Sequence, residues 1–423
     1  LPFASERPGT IANRTRFLAF AARQPFSFRQ GNAAMAQRGA AATHLTSSDL
    51  FLRQMIAKHP EQFRVLDTQA QLPCVAPEDW RRLDLEGKRL LFLLPSQALG
   101  GNVATILAIA ALQEHRKPGG IGVACTKSTT DLYRLLRNVV IHPYWIAAAD
   151  AERYDYVVDL GHIEARRDIE IWPVDMEGEI LRAFDVPPAS RFPAGARKLP
   201  ARRLRLGIFP LGSSPLRSFP PEVTIDLARA LREEGALTVY LNRNQLQGRL
   251  SRQAIDRARL EGVRIVDGFE TVGELARAIE KIDYAVFADS GPAHMAKLWG
   301  VPGVAVYTSA PGDVLQGRFR NLAPWQVSFE GPYCRAPCGL AKLREDRNGR
   351  FGCMGSLETS LEALPSVATG ANPAVVEELF LRTPVPCVAA LSAQRDALAA
   401  FVREDLARRR EDEKKAGSRT PRP

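Results

Sequence analysis

Two short stretches of this sequence concentrate groups that hold anions. The first is Asp289-Ser290-Gly291-Pro292-Ala293-His294, which stops an apolar run that begins at Tyr284. Ser290 offers a hydroxyl and Gly291 an unobstructed amide. Pro292 suits the first position of a helix, which places His294 in its opening turn. The second stretch is Leu211-Gly212-Ser213-Ser214-Pro215-Leu216-Arg217, which follows the apolar run 204–210. Amides at Gly212, hydroxyls at Ser213 and Ser214 and a guanidinium at Arg217 suit a diphosphate. Either loop alone could be an ordinary turn; an acid, a hydroxyl, a glycine and an imidazole at one strand end favour a binding role.

A third turn, Pro95-Ser96-Gln97-Ala98-Leu99-Gly100-Gly101-Asn102, also follows a strand-like run. Gly100 and Gly101 let the backbone approach a ligand, and Asn102 is the expected cap of the next helix. Around these turns, apolar strand-like runs alternate with helical patterns in two series. The first has strands near 89–95, 120–126 and 154–160, with a helix expected over 129–140. The second has strands near 204–210, 237–243, 263–268, 284–289 and 303–308. Such alternation predicts α/β architecture with parallel sheets wound on both faces, whose ligands bind at the carboxyl ends of the strands. A Pro- and Arg-rich stretch at 191–203 reads as a linker. The expected division is a tail at 1–45, a Rossmann-like domain at 46–190, the linker, a second Rossmann-like domain at 204–390, and a helix with a charged tail at 391–423.

The chain has 423 residues and a formal net charge of +10. That balance favours anionic partners such as phosphates, acidic glycans or lipid headgroups. Nucleic acid is not expected, because no basic stripe is interleaved with aromatics. The uncharged stretch 91–112 is broken by Pro95, Gly100, Gly101 and Asn102, so it reads as two elements and not as a membrane span. The expected location is the cytoplasm, with contact to a membrane surface left open. The six cysteines are too few for a disulfide scaffold. Cys334, Cys338 and Cys353 cluster, and with Cys387 as a fourth ligand they could hold a structural metal; isolated thiols are the alternative.

The stretch 289–307, with "LGSSPLRSFP", "LLFLLPSQALGGNVATILAI", "YDYVVDLGH" and "CRAPCG", resembles the lipopolysaccharide heptosyltransferases, the ninth glycosyltransferase family. The resemblance spans about 88–380 and is strongest in the second half. It implies a GT-B fold, with two Rossmann-like domains, and inverting transfer of a sugar from a nucleoside-diphosphate donor such as ADP-heptose. The implied acceptor is a cell-envelope glycan, lipid-linked or otherwise, or a protein. It implies that Ser290, Gly291 and His294 hold the diphosphate, that Arg217 neutralises it, and that Asp289 faces the donor sugar. No cofactor is required, although a branch that modifies autotransporters carries an iron-bearing finger with similar cysteine spacing.

Two positions depart from the family. Its first loop usually carries an aspartate, the base for the acceptor hydroxyl, where this chain has Gly101-Asn102. Its acid for the ribose is absent from "NRNQLQG" at 242–248. An amide cannot serve as the base. Asp159 and His162, at another strand end, are the substitute candidates, with capping and packing as the alternative. A family member that binds donor or glycan without transfer is the competing function. A sugar epimerase of the same fold is disfavoured, because Pro292-Ala293-His294 stands where such enzymes carry a glycine and acids.

Overall fold

The computed structural model describes residues 26–27, 65–67, 75–94, 98–125, 127–143, 150, 152–160, 163, 174–331, 335–339, 377–382 and 385–417. The chain divides into two units, one comprising Leu1–Ile169 with Met176–Ser190 and the other Glu170–Asp175 with Arg191–Pro423. Both are α/β, and each is built on a parallel sheet.

In the first unit, β1 (Arg89–Leu93), β2 (Gly120–Cys125), β3 (Val139–Pro143) and β4 (Tyr156–Asp159) form a sheet in the order β3-β2-β1-β4. All its pairings are parallel. Helix α1 (Leu99–His115) follows β1 and is buried on every side from Gly101 to Leu112. That accounts for the uncharged stretch at 91–112: a buried strand and a buried helix. Among the described residues no single helix is long and apolar enough to cross a membrane. Helix α2 (Met176–Phe184) packs on α1, and Phe184 stacks on Trp80 with centroids 5.1 Å apart. The helix expected over 129–140 is one turn, Thr130–Tyr133. Asn138, at φ 56°, turns the chain, and the β-branched Val139-Val140-Ile141 enter the edge strand β3.

The second unit has six parallel strands: β5 (Leu204–Phe209), β6 (Gly235–Tyr240), β7 (Arg264–Val266), β8 (Tyr284–Ala288), β9 (Gly303–Tyr307) and β10 (Leu322–Gln326). Their order is β10-β9-β8-β5-β6-β7. Numbered within the unit this is 3-2-1-4-5-6 read from the other edge, the doubly wound order, and its direction reverses between β5 and β8. β8 and β9 are buried throughout, as near-continuous apolar strands of a covered parallel sheet should be. β10 escaped the sequence reading because Pro324 argues against a strand; it is tolerated at the sheet edge.

Helices α3 (Pro221–Leu231), α4 (Leu246–Ala258) and α5 (Val272–Lys281) link the strands of this sheet, and the short α6 (Gly291–Met295) and α7 (Gly312–Gln316) follow β8 and β9. Thr271 caps α5 by accepting from Glu274 N at 3.1 Å. Two C-terminal helices, α8 (Pro386–Ala393) and α9 (Arg395–Gly417), belong to this unit and are not a separate tail. Leu391, Leu398, Val402 and Leu406 enter the same core as Leu206, Ile208, Val286 and Val304. The Tyr284 hydroxyl in β8 donates to Asp405 Oδ2 of α9 at 3.1 Å. The linker residues 191–203 likewise join this unit, where Arg197 donates to the Glu280 carbonyl. On the opposite face of the sheet, the rings of Phe287, Phe209, Tyr240 and Phe269 stack in a row.

Candidate functional site

The reversal between β5 and β8 brings two loops together at the carboxyl edge of the second sheet. They are the two anion-friendly stretches of the sequence. After β5, the loop 210–219 closes on itself: Phe219 N donates to Pro210 O at 2.7 Å. Inside it, Gly212 N donates to Ser218 Oγ at 3.0 Å, and Ser218 Oγ donates to Ser214 O at 2.9 Å. A side chain at Gly212 would collide with Arg217, its Cβ lying 2.9 Å from the Arg217 carbonyl oxygen. The glycine therefore serves close backbone approach inside the loop. Ser214 is buried at the start of the turn Pro215–Arg217, while Ser213 is exposed.

Arg217 points from this loop to the turn after β8. Its Nη1 donates to Asp289 Oδ2 at 3.3 Å, and its Nη2 donates to the Ser213 hydroxyl. Ser213, Arg217 and Asp289 thus form one hydrogen-bonded chain. Asp289 is 1% exposed. Its Oδ1 has no partner, and neither has Arg217 Nε, although both atoms are buried. Ser290 precedes α6 in an extended conformation, and its hydroxyl is spent on Ala288 O at 3.0 Å. It braces the turn. Gly291 opens α6 and His294 lies half-buried in the same turn. The loop after β9 joins the cluster: the Thr308 hydroxyl donates to Leu216 O at 2.6 Å.

A second aspartate lies at the other end of β8. Asp283, immediately before β8, meets Arg202 through two bonds, Nη1 to Oδ2 at 2.7 Å and Nη2 to Oδ1 at 2.8 Å. Arg205 N adds a third at 2.8 Å. Burial alone raises the Asp283 pKa, but the hydrogen bonds from Arg202 and Arg205 outweigh it and hold the carboxyl below its usual range. Both ends of β8 therefore carry an aspartate paired to arginine: Asp283 to Arg202 and Arg205 at the start of β5, Asp289 to Arg217 beyond its end. The pair at the amino edge is saturated. The pair at the carboxyl edge leaves a carboxylate oxygen and a guanidinium N–H unspent.

In the first unit, Gly100, Gly101 and Asn102 are not a loop. They form the opening turns of α1, whose N-cap is Ala98. Asn102 lies past the cap position, is 0% exposed, donates from Nδ2 to Ala98 O at 2.9 Å and accepts from the Tyr133 hydroxyl at 2.9 Å. Gly101 O accepts from Thr105 Oγ1. Asp159 ends β4 opposite Leu93 and is buried. His162 lies outside the described residues. Nearby, burial pushes the Cys125 thiol up to about 11, with the Thr129 and Thr130 hydroxyls opposing it.

Of the candidate metal ligands, Cys334 and Cys353 lie outside the described residues. Cys338 N and Gly339 N both donate to Ser309 O, and Cys387 is buried in the first turn of α8. Among the described residues, no group of three or more His, Cys, Asp or Glu side chains is arranged to hold a metal ion.

Ser218 and Thr308, which hold these loops together, were not singled out from the sequence. Ser218 lay inside a quoted loop, but nothing in its type marked it as the brace. No protein-family model and no curated protein sequence matches the chain. Solved structures are similar to it. The ADP-heptose lipopolysaccharide heptosyltransferase II of E. coli is 16% identical, with 56% of this chain and 90% of that chain covered and a TM-score of 0.42. A glycosyl transferase family 9 protein from Veillonella parvula is 14% identical, with 57% and 87% covered and a TM-score of 0.44. The iron-containing dodecameric glycosyltransferase TibC from enterotoxigenic E. coli is 10% identical, with 75% and 78% covered and a TM-score of 0.44.

Proposed function

We propose that the chain is a glycosyltransferase that takes a sugar from a nucleoside-diphosphate donor held by its second Rossmann-like unit. The observation that carries this reading is the unsaturated Arg217–Asp289 pair at the strand-order reversal, where a doubly wound sheet holds its ligand. The diphosphate lies against Arg217, Ser213 and the backbone of the turn at Ser290 and Gly291, with His294 beside it. Charge builds on the departing nucleoside diphosphate in the transition state. A guanidinium fixed there by Asp289 and Ser213 lowers the barrier without reorganising. The chain's own donors supply this stabilisation, so no metal is assigned to the transfer.

The donor suggested by the sequence resemblance is ADP-heptose-like, the acceptor a cell-envelope glycan or a protein, the outcome inversion and the setting the cytoplasmic side of a membrane. Asp159 is the described candidate for the base. Binding of a panel of nucleoside diphosphates by calorimetry, followed by sugar release or transfer from the matching nucleotide sugars, tests the proposal. Failure of wild type to bind any of them overturns it.

Binding without transfer is the second reading, and Asn102 favours it. Where the resemblance calls for a reactive aspartate, this chain places an amide sealed in a helix. Donor affinity with no transfer to any acceptor or to water would select this reading.

A further inference from the structure

The peptide unit that precedes Arg217 is held at both of its polar ends. The turn Pro215–Arg217 uses the carbonyls of Ser214 and Pro215, to which Arg217 N donates at 3.1 Å and Ser218 N at 3.3 Å. The next carbonyl, Leu216 O, takes its donor from outside the turn, as the last carbonyls of a helical turn must. That donor is Thr308 Oγ1, at 2.6 Å and 92 residues away in the chain. A peptide is planar, so fixing its N–H and its C=O fixes the plane from which the Arg217 side chain departs.

Thr308 follows β9 and is itself tied down. Gln326 Nε2 donates to Tyr307 O at 3.3 Å and to Thr308 O at 3.2 Å, and Gln326 Oε1 accepts from Gly312 N at 2.9 Å. The following carbonyl, Ser309 O, accepts from Cys338 N and Gly339 N, both at 2.8 Å. Thr308 is 3% exposed, and the one proton of its hydroxyl is spent on Leu216 O. Its route to a ligand at Arg217 therefore runs through the Leu216–Arg217 peptide.

We infer that Thr308 is a positioning residue for the diphosphate: its hydroxyl fixes the Leu216–Arg217 peptide and so aims the Arg217 guanidinium. This rests on the nucleotide-sugar reading above. A binding group works fully only when its support holds it within about 0.5 Å of its place. The single bond from Arg217 to Asp289, at 3.3 Å, is long for a charge-assisted pair and leaves that support to the backbone.

The test is a double-mutant cycle read by calorimetry, well below the unfolding temperature, with ADP, UDP and GDP as probes. The proteins are wild type, Thr308→Val, Thr308→Ser, Arg217→Ala and Thr308→Val combined with Arg217→Ala. Valine keeps the shape of threonine without the donor, and serine keeps the donor. For the diphosphate that wild type binds, Thr308→Val should lose about tenfold in affinity, a coupling expected of residues in one hydrogen-bonded chain. Thr308→Ser should bind as wild type does. In the Arg217→Ala background, Thr308→Val should change nothing, because the group that Thr308 aims is gone. Full affinity of Thr308→Val overturns the proposal, whatever its Tm. An equal loss with and without Arg217 also overturns it, since that marks a general loosening of the loop; either result leaves the nucleotide reading standing. If wild type binds none of the probes, the nucleotide reading falls and the positioning role with it.

Discussion

Arg217 and Asp289 are 72 residues apart in the chain, and their side chains meet at 3.3 Å. The contact joins the loop after β5 to the turn after β8 at the place where the strand order reverses. Asp289 aims the guanidinium but engages it through one oxygen, so part of the arginine remains for a ligand. A diphosphate bound there as proposed would compete with Asp289 for the same cation.

That competition gives the first prediction. Arg217→Ala should weaken nucleoside-diphosphate binding by about 1–3 kcal/mol, the range for a charge-assisted hydrogen bond. Arg217→Lys should recover only part of it, since an ammonium keeps the charge without the planar fork. Asp289→Asn should behave oppositely for the bare diphosphate, with equal or tighter binding, because a competing negative charge is gone. Calorimetry that ranks Asp289→Asn below Arg217→Ala would contradict the competition.

The saturated pair at the other end of β8 should act on stability alone. The folded pKa of Asp283 lies below its unfolded value, so its contribution is complete above the unfolded pKa and disappears as pH falls through the folded one. Asp283→Asn should cost about 1–3 kcal/mol at neutral pH by leaving Arg202 and the Arg205 amide short of an acceptor. The difference from wild type should shrink in acid. Denaturant titrations of both proteins at neutral and acid pH measure this, and a pH-independent difference would contradict it.

Asn102→Asp should not install a base. The new carboxylate would be sealed from water and would face the Ala98 carbonyl, to which Asn102 now donates. Loss of that bond and burial of a charge should destabilise the first unit by about 2 kcal/mol or more. A lowered Tm with no gain in transfer is the expected result. A gain in transfer at unchanged Tm would mean that the start of α1 opens in the working protein.

Gly212→Ala should harm binding more than folding. The added Cβ would sit 2.9 Å from both Arg217 Cβ and the Arg217 carbonyl, so the loop must spread. Arg217 would then lose its alignment with Asp289. Diphosphate affinity should fall severalfold while Tm changes little; the two measurements on one variant separate these effects.

The two loops that meet at Arg217 and Asp289 were each legible in the sequence as a strand, a turn and the start of a helix, because each is a local object. An apolar run, a glycine, hydroxyls and a proline in succession specify a strand, a turn and the start of a helix from contacts among near neighbours. Pairing was harder to read where local signals conflicted. Pro324 hides an edge strand, and Val139 and Val140 fall inside the helical pattern at 129–140 although Asn138 turns the chain before them. Asn102 was misread as a cap because a favourable residue type follows two glycines, whereas the helix had already begun at Leu99.

The sequence by itself determined two α/β halves, with glycines, hydroxyls and a guanidinium at the ends of particular strands. Residue types and their periodicity carry that information, since burial on one face or both leaves a repeating signature along the chain. Only the tertiary structure decided which loops became neighbours. Strand order is set by long-range packing and by the handedness of the crossovers, and nothing in the sequence around residue 217 records that residue 289 stands opposite it. The same packing sealed Asn102, drew α9 into the core beside Tyr284, and set Thr308 against Leu216. Each outcome depends on what the rest of the chain places around a side chain, which the side chain's own sequence neighbours do not specify.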